Sequence, residues 1–427
     1  MFLISSSDNE GMATGEESGA TARAEMLKLH QADMGAAEEQ ELIAALRSGW
    51  LTKGPRTREF EQRFAARVQS PDALGVNSCT AALHLALLAA EVGPGAEVIV
   101  PALTFASSAN VVVHTGATPV FADVLAPTHT IDPEHVARLI TKRTKALIPV
   151  HFGGIPCEMD ALGELARQHN LVVIEDCAHA IEAEYRNQPV GVAGGVARFA
   201  AYSFYATKNL ITGEGGMLCC RDLADHQRAA VLGLHGMSAD AWRRYQRDDF
   251  RLYDIVAAGF KYNMFDLQAA LGLVQLQKLD ENWAKRQACV AYYDELLAAV
   301  EGATPLCYPD YVKPAHHLYL VKLDAELADR AARETQAGSK AAPHASPLRD
   351  AVIRGLRQRQ VEAYVHYICL PETEFYRQQF GTAASDAPVA ADLSRRSVTL
   401  PLFPTMGEAE VEYVVGALKD TLAEAAR

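Results

Sequence analysis

The sequence predicts an α/β protein whose larger domain has a mostly parallel β-sheet covered by helices on both faces. From residue 73 onward, short strands rich in Val and Ile alternate regularly with helical segments. Strands of a parallel sheet are buried on both faces, so they read as short, nearly continuous apolar runs. Toward the carboxyl end the pattern changes to mixed helices and strands, which predicts a smaller α+β domain. We divide the chain into a flexible tail at 1–26, a large domain at 27–283 and a small domain at 284–427.

Local signals set the predicted helices and strands of the large domain. An apolar helical pattern ends at Ser48 and Gly49, a common helix terminator, and Asp132 with Pro133 provides an N-cap and a proline in the first turn. Runs rich in β-branched residues between the helices predict strands. In chain order we expect helices at 38–47, 56–68, 81–90, 105–114, from 133, 158–169 and 223–234, and strands at 73–76, 97–100, 118–123, 145–150, 171–175, 199–204 and 217–220.

A long helical pattern at 267–300, with room for one break, leads into the predicted small domain. The charged and aromatic stretch before it, residues 235–262, predicts an irregular loop, and the polar stretch at 336–347 predicts a linker. Alternating apolar residues at 317–323 predict a strand. We also expect a strand at 361–368 and helices at 348–360 and 408–426.

Composition narrows the class of protein. Hydrophobic residues make up 49% and charged residues 22% of the 427, which is typical of a soluble globular protein. The net charge of -13 argues against a nucleic-acid binder, because such proteins need a basic surface. No run reaches the roughly 18–20 apolar residues of a membrane span, and the amino terminus lacks the basic start of a signal peptide. The eight cysteines form no CxxC pair, so we expect a cytoplasmic protein with reduced cysteines and no metal site.

The stretch from Ala201 to Leu218 contains a lysine between two apolar strands, followed by a turn with three glycines. A lysine in such a place must be solvated, paired or used covalently, because its ammonium group is costly to bury. One interpretation is that Lys208 forms a Schiff base with pyridoxal phosphate. The alternative is a surface lysine in a hairpin loop, and this window by itself favours the alternative.

Four other features follow predicted strands, at the edge of the sheet where ligands bind in α/β proteins. The segment 77–80 precedes a helix and suits an anion, and Asp176 could pair with a protonated pyridine nitrogen. Phe105 could stack on a planar ring, and Ser203 and His151 end two further strands. Each feature has an ordinary alternative. The segment 77–80 could be an N-cap, and Asp176 could cap a helix or bind a metal. Phe105 and His151 could be core residues, and Ser203 could be a buried hydroxyl.

The combination is more informative than any single feature. An amine, a carboxylate, an aromatic ring and an anion site at successive strand ends match the requirements of pyridoxal phosphate and of few other ligands. The sequence contains no GxxxxGK[ST] or GxGxxG between a strand and a helix, and no GxSxG or HExxH. The sequence therefore lacks the motifs that are typical of nucleotide-hydrolysing, dinucleotide-binding, serine-hydrolase and zinc-protease sites.

The motif SFYATKNLITGEGG resembles the lysine motif of the DegT/DnrJ/EryC1/StrS family of sugar aminotransferases. The resemblance continues in order, from about Leu29 to the carboxyl terminus, through SGWLTKGPRTREFE, NSCTAALHLAL, PVHFGG, VIEDCAHAIEAEY, GFKYNMFDLQAALGLVQLQKLD and LPLFPTM. It implies the fold-type I architecture of aspartate aminotransferase. The segments LHGMSADAW and VTLPLFP resemble the members that make UDP-4-amino-4-deoxy-L-arabinose.

The resemblance also implies a role for each matching residue. Lys208 would form the Schiff base and shuttle protons, Asp176 would hold the pyridinium nitrogen, and Phe105 would stack on the ring, where Trp or Tyr is more usual. The phosphate ligands would be Cys79 (through its backbone N–H), Thr80 and Ser203, and His179 would lie beside the cofactor. Asn263 would reach the phosphate in the partner subunit, which implies a homodimer with shared active sites.

The implied reaction transfers the amino group of L-glutamate to a nucleotide-linked ketosugar, with 2-oxoglutarate as the second product, in amino-sugar or polysaccharide biosynthesis. A 4-keto sugar is expected, linked to either UDP or dTDP. Alternatives are a cyclitol or other cyclic ketone as acceptor, a deoxysugar dehydratase, which Lys208 disfavours, and a non-catalytic regulator. Candidate substrate ligands are Lys53, His151, His317 and His366, with Arg247, Arg251 and Lys261 as further loop cations; solvated surface charges or core histidines are the alternatives.

Overall fold

The computed structural model describes residues 23–238, 253–335 and 344–425. Two of the predicted loop cations, Arg247 and Arg251, lie outside the described residues, as do most of the predicted tail and linker. None of the helices in the described ranges is long and apolar enough to cross a membrane. All eight cysteines are free thiols, and only Cys307 is exposed.

Thirteen strands occur in the described ranges, and seven of them form one sheet in the order β1-β9-β8-β5-β4-β2-β3. The strands, in chain order from β1 to β13, are Asp72–Val76, Glu97–Pro101, Thr118–Ala122, Thr144–Leu147, Val172–Asp176, Glu184–Tyr185, Gln188–Pro189, Phe199–Ser203, Gly216–Cys220, Ala303–Pro305, Val312–Lys313, Tyr319–Leu323 and Ser397–Leu400.

The described ranges also contain thirteen α-helices, which alternate with the strands through most of the large domain. In chain order, from α1 to α13, they are Ala36–Arg47, Pro55–Arg67, Cys79–Ala89, Ser107–His114, Pro133–Leu139, Met159–His169, Leu223–Leu232, Asp266–Leu297, Ala325–Thr335, Pro347–Gln358, Glu374–Phe380, Pro388–Arg396 and Glu408–Ala425.

The large sheet is mostly parallel, as predicted. Strands β3, β2, β4, β5 and β8 run parallel, and β9 is antiparallel to both β8 and β1. Side chains of the fully buried strand β2 alternate between two apolar layers: Val98 and Val100 pack with α3 and α4, and Ile99 packs with α2 and α6. Helices therefore cover both faces, and the carboxyl ends of the parallel strands remain at one edge.

The small domain differs from the prediction in several places, among them the helices Ala325–Thr335, Glu374–Phe380 and Pro388–Arg396 and the strand Ser397–Leu400, which were not predicted. The long helix α8 is unbroken, and the predicted boundary at 283/284 falls inside it. The predicted strand at 361–368 is wrong: this segment makes only isolated bridges, from Val361 to Leu27 and from Tyr364 to Thr399. It passes between the amino-terminal segment and β13, and it changes partner after three residues, so no continuous ladder forms. Leu27 is buried in the same apolar cluster as Val361.

Candidate active site

A cavity of about 690 Å³ lies at the carboxyl ends of the parallel strands, between the large sheet and the small domain. Its walls come from the ends of β5 and β8, the start of α3, the segment before α4 and residues 362–367. Most of the residues singled out in the sequence line this one cavity: Cys79, Thr80, Phe105, Asp176, His179, Ser203, Lys208 and His366.

Lys208 lies in the loop between β8 and β9 and is half-buried. The surrounding protein lowers the pKa of its amine to about 8, chiefly because burial disfavours the ammonium ion; Cys79 and Asp176 oppose this shift. An amine with this pKa is partly unprotonated near neutral pH. Lys208 is therefore suited to nucleophilic attack and to proton transfer.

Asp176 ends β5, and its carboxylate lies within the cavity wall. Ser108 Oγ donates to Oδ2 at 2.8 Å, and the backbone N–H of Ala178 donates to Oδ1 at 3.1 Å. Burial raises the pKa of Asp176, whereas these two donors oppose the rise by stabilising the carboxylate. Ser108 is fully buried and was not singled out in the sequence; its signal is the second of two adjacent serines that end the segment PALTFASS.

The anion site is the amino-terminal end of α3. Ser78 is extended and caps the helix, accepting a hydrogen bond from Ala81 N at 3.1 Å. Gly216 of β9 packs directly against it: a Cβ at Gly216 would lie 2.5 Å from Ser78 C and 2.6 Å from Cys79 N. Only glycine fits at this distance. The strand is thereby close to a helix start whose free N–H groups and positive dipole end suit a phosphate.

His179 is held in one neutral form by its neighbours. The backbone N–H of Gly153 donates to Nδ1 at 3.2 Å, and Nε2 lies 3.1 Å from the hydroxyl of Tyr367. Burial, with the nearby charge of Lys208, lowers the pKa of His179 well below its usual value. A neutral ring that accepts at Nδ1 carries its proton on Nε2 and donates it to the Tyr367 oxygen. The Tyr367 hydroxyl is then free to donate to a group in the cavity.

His317 reaches Lys208 from the small domain. Its ring centre is 4.4 Å from that of His179, and its Nδ1 lies 3.1 Å from Asn209 Oδ1. The Asn209 amide nitrogen donates to Glu182 at 2.8 Å, so its oxygen is the acceptor and His317 Nδ1 carries the proton. The ring lines a second, small cavity behind Lys208.

Five of the predicted residues in the described ranges do not line the main cavity: His151, Lys53, Asn263, Lys261 and His317. The prediction that His151 contacts substrate is wrong for this arrangement, because its side chain is fully buried and bonded to Glu175 Oε2 at 2.9 Å. Adjacent strand residues face opposite sides of a sheet, so Glu175 and His151 lie on the face opposite Asp176. Lys53 and Asn263 line a separate pocket of about 270 Å³, and Lys53 pairs with Glu61 at 2.6 Å.

One group in the described residues places three potential metal ligands within 4.8 Å of one another: His151, Glu175 and Cys177. The ring of His151 accepts from Cys157 N at 3.1 Å through Nδ1 and bonds Glu175 through Nε2. Both ring nitrogens of His151 therefore have hydrogen-bond partners and are not available to bind a metal ion. This arrangement indicates a structural hydrogen-bond network.

Comparison with known proteins identifies related chains. The sequence profile of the DegT/DnrJ/EryC1/StrS aminotransferase family matches residues 32–419. The chain is 43% identical over 388 residues to the spore coat polysaccharide biosynthesis protein SpsC of Bacillus subtilis (strain 168), covering 91% of this chain and 95% of SpsC. The structure of Spr1654 from Streptococcus pneumoniae in its PLP form superposes with a TM-score of 0.82 at 32% identity, covering 94% and 99% of the two chains. Sugar aminotransferase CalS13 from Micromonospora echinospora superposes at 0.79 with 26% identity, covering 92% and 100%.

Proposed function

Because the chain belongs to the DegT/DnrJ/EryC1/StrS aminotransferase family, we propose that it uses pyridoxal phosphate to transfer the amino group of L-glutamate to a nucleotide-linked ketosugar. The fold is that of the fold-type I enzymes, as predicted. The observation that carries the proposal is the meeting of Lys208, Asp176 and the start of α3 in one cavity. The likeness to SpsC favours a product used in a polysaccharide.

The residues of the cavity fit the cofactor. The start of α3, with Thr80 and Ser203, would hold the phosphate, and the close packing of Gly216 keeps this site free of side-chain bulk. Asp176 would pair with the ring nitrogen, and Phe105, which is 60% exposed in the single chain, offers a free ring face for stacking. When bound, pyridoxal phosphate supplies an electron sink for the bond that is broken at the amino-bearing carbon.

The chain's own groups move the protons. Lys208, with a pKa of about 8, accepts a proton from the amino-bearing carbon and can return it on the other side of the transfer. Ser108 and the N–H of Ala178 stabilise the carboxylate of Asp176, which would pair with the protonated ring nitrogen of the cofactor. Tyr367, oriented by His179, donates a hydrogen bond to a polar group in the cavity.

A sugar acceptor is supported by the chemistry of the small-domain wall. This wall presents the neutral imidazole of His366, whose pKa is lowered to about 3 by burial, together with Tyr364 and Tyr367. Among the described residues that line the cavity, Lys208 is the only lysine or arginine. Imidazole and hydroxyl groups of this kind suit the hydroxyls of a sugar, and the diphosphate of a nucleotide-linked substrate would need cations from outside this cavity.

The proposal includes a homodimer. Asn263, Lys53 and Lys261 do not line their own chain's main cavity, which is the arrangement expected if they act at the partner's site. Large apolar side chains are exposed in the chain segments next to Lys53 and Asn263, and they would be covered on association. They are Leu46, Trp50 and Leu51 in one segment, and Ile255, Val256 and Phe265 in the other.

Absorbance spectroscopy tests the function. Protein loaded with pyridoxal phosphate should be yellow, and L-glutamate should bleach it with release of 2-oxoglutarate. A panel of UDP- and dTDP-linked 4-ketohexoses should then restore the yellow form, and Lys208→Ala should show neither change. Restoration by a cyclitol ketone, and by none of the sugar nucleotides, would replace the sugar assignment. Loss of water from a sugar without uptake of an amine would overturn transamination.

A further inference from the structure

The amino-terminal segment at residues 27–33, here termed the strap, lies at the edge of the region that the family profile matches, which starts at residue 32. Leu27 and Leu29 are buried, whereas Lys28 between them is exposed. This alternation is that of an extended segment whose two leucines are packed inward, with His30 on the opposite face. His30 lies two residues before the start of the region that the family profile matches.

Backbone hydrogen bonds attach the strap on both sides. Leu27 donates to Gln360 O at 2.8 Å and accepts from Glu362 N at 2.9 Å. Leu29 donates to Glu362 Oε2 at 2.7 Å and accepts from Leu402 N at 3.2 Å. With four such bonds over three residues, the position of the next residue, His30, is closely defined.

His30 lines both the main cavity and the small cavity behind Lys208. Its ring is stacked on that of His317, with centres 5.6 Å apart and planes within 8°. Burial and the nearby charge of Lys208 lower its pKa to about 4. A neutral imidazole carries one N–H donor and one acceptor nitrogen, so the ring can hydrogen-bond a hydroxyl group in the cavity.

We infer that the strap places His30 as a specificity-determining residue for the sugar acceptor, where its imidazole makes a hydrogen bond with a sugar hydroxyl. The inference rests on the proposed function and deepens it. The ring lines the same cavity as His366 and Glu362, and the strap is hydrogen-bonded to Glu362. A neutral ring gives little to the carboxylates of an amino-acid donor, so His30 is not required for uptake of the amine.

Two variants separate hydrogen bonding from packing. His30→Phe keeps an aromatic ring on His317 but has no polar atom, and His30→Gln keeps a polar group of similar reach. Lys28→Ala changes an exposed side chain of the same strap and serves as the matched control. Thermal unfolding of all three variants checks that the strap remains attached.

Each half of the reaction is measured alone: bleaching by L-glutamate, then recolouring by the 4-ketohexose nucleotide that is most active on the unsubstituted protein. We expect His30→Phe to lower kcat/KM for the sugar by about 10- to 100-fold, the loss for a buried partner left unpaired, with glutamate bleaching within about twofold. His30→Gln should recover part of the loss, and Lys28→Ala should match the parent.

Other results overturn the inference. An equal loss in both halves would make His30 a support for Lys208, and no loss in either half would make it a packing residue. A parent protein that no sugar nucleotide recolours would refute the proposed function itself, and the inference with it. The recolouring of the parent thus tests the proposed function, and the ratio of variant to parent kcat/KM tests the role of His30.

Discussion

Substitution of Gly216 tests the close packing between β9 and the phosphate site. In Gly216→Ala the new Cβ would lie 2.5 to 2.7 Å from three backbone atoms of Ser78 and Cys79. Ordinary contact begins near 3.4 Å, so the helix start or the strand must move by about 0.9 Å. Neither moves easily, because Gly216 pairs with Val76 on one side and Ser203 on the other.

This displacement has a cost in stability and in function. Overpacking of this kind lowers the free energy of unfolding by about 1–3 kcal/mol. A shift of the helix start also weakens hydrogen bonds to the phosphate, and each hydrogen bond to a charged group contributes about 1.5–3 kcal/mol. We therefore expect the affinity for pyridoxal phosphate to fall by about tenfold or more and kcat by up to about 10²-fold.

Denaturant unfolding gives the stability, and titration of the cofactor-free protein with pyridoxal phosphate gives the affinity. Gly416→Ala is the matched control, since Gly416 lies within α13 and a Cβ there meets nothing within 4 Å. That change should be neutral or stabilising by up to about 1 kcal/mol. Parent-like stability and affinity in Gly216→Ala would refute the packing argument.

Three further predictions concern charge and hydrogen bonding. In Ser108→Ala, loss of the donor to Asp176 should raise the pKa of that carboxyl, so the acid limb of the activity profile should shift to higher pH; an unshifted limb would contradict the role of Ser108. In the cofactor-free protein, modification of Lys208 by an amine-reactive reagent, located by mass spectrometry, should rise with a midpoint near pH 8; a midpoint near that of free lysine would contradict its lowered pKa. His151→Ala should lower the free energy of unfolding by about 1–3 kcal/mol because Glu175 loses its buried partner, and KM for the sugar should not change in folded protein. A raised KM with parent stability would restore His151 as a substrate ligand.

The catalytic wall was predictable because its residues occupy positions that local patterns reveal. Lys208 and Asp176 each follow an apolar run, and the carboxyl ends of parallel strands share one edge of the sheet. The end of a strand predicts at which edge of the sheet a residue lies, but not on which face of the sheet. His151 satisfies the rule and yet lies on the opposite face with Glu175, which only the register of the folded sheet determines.

Contacts between distant segments were not predictable from local pattern. Ser108 meets Asp176 across 68 residues, and Tyr367 meets His179 across 188. The strand predicted for 361–368 failed for a related reason, because the apolar side chains there pack against the amino-terminal segment without a continuous ladder beside them. Periodicity reports how a segment is buried, but not whether a neighbour extends far enough to pair with it.

The two walls of the cavity differ in how the sequence encodes them. One wall carries the groups proposed for the transfer of the amine, and the other carries the groups proposed to select the acceptor. The groups proposed for chemistry lie on the ends of neighbouring strands and on one helix start, so a short set of motifs fixes their geometry. The opposite wall combines His30 from the strap with His366 and Tyr367 from the small domain, which are brought together only when the strap binds residues 360–362. We therefore expect substitutions in the strap and in the small-domain wall to alter the choice of acceptor more than the uptake of the amine.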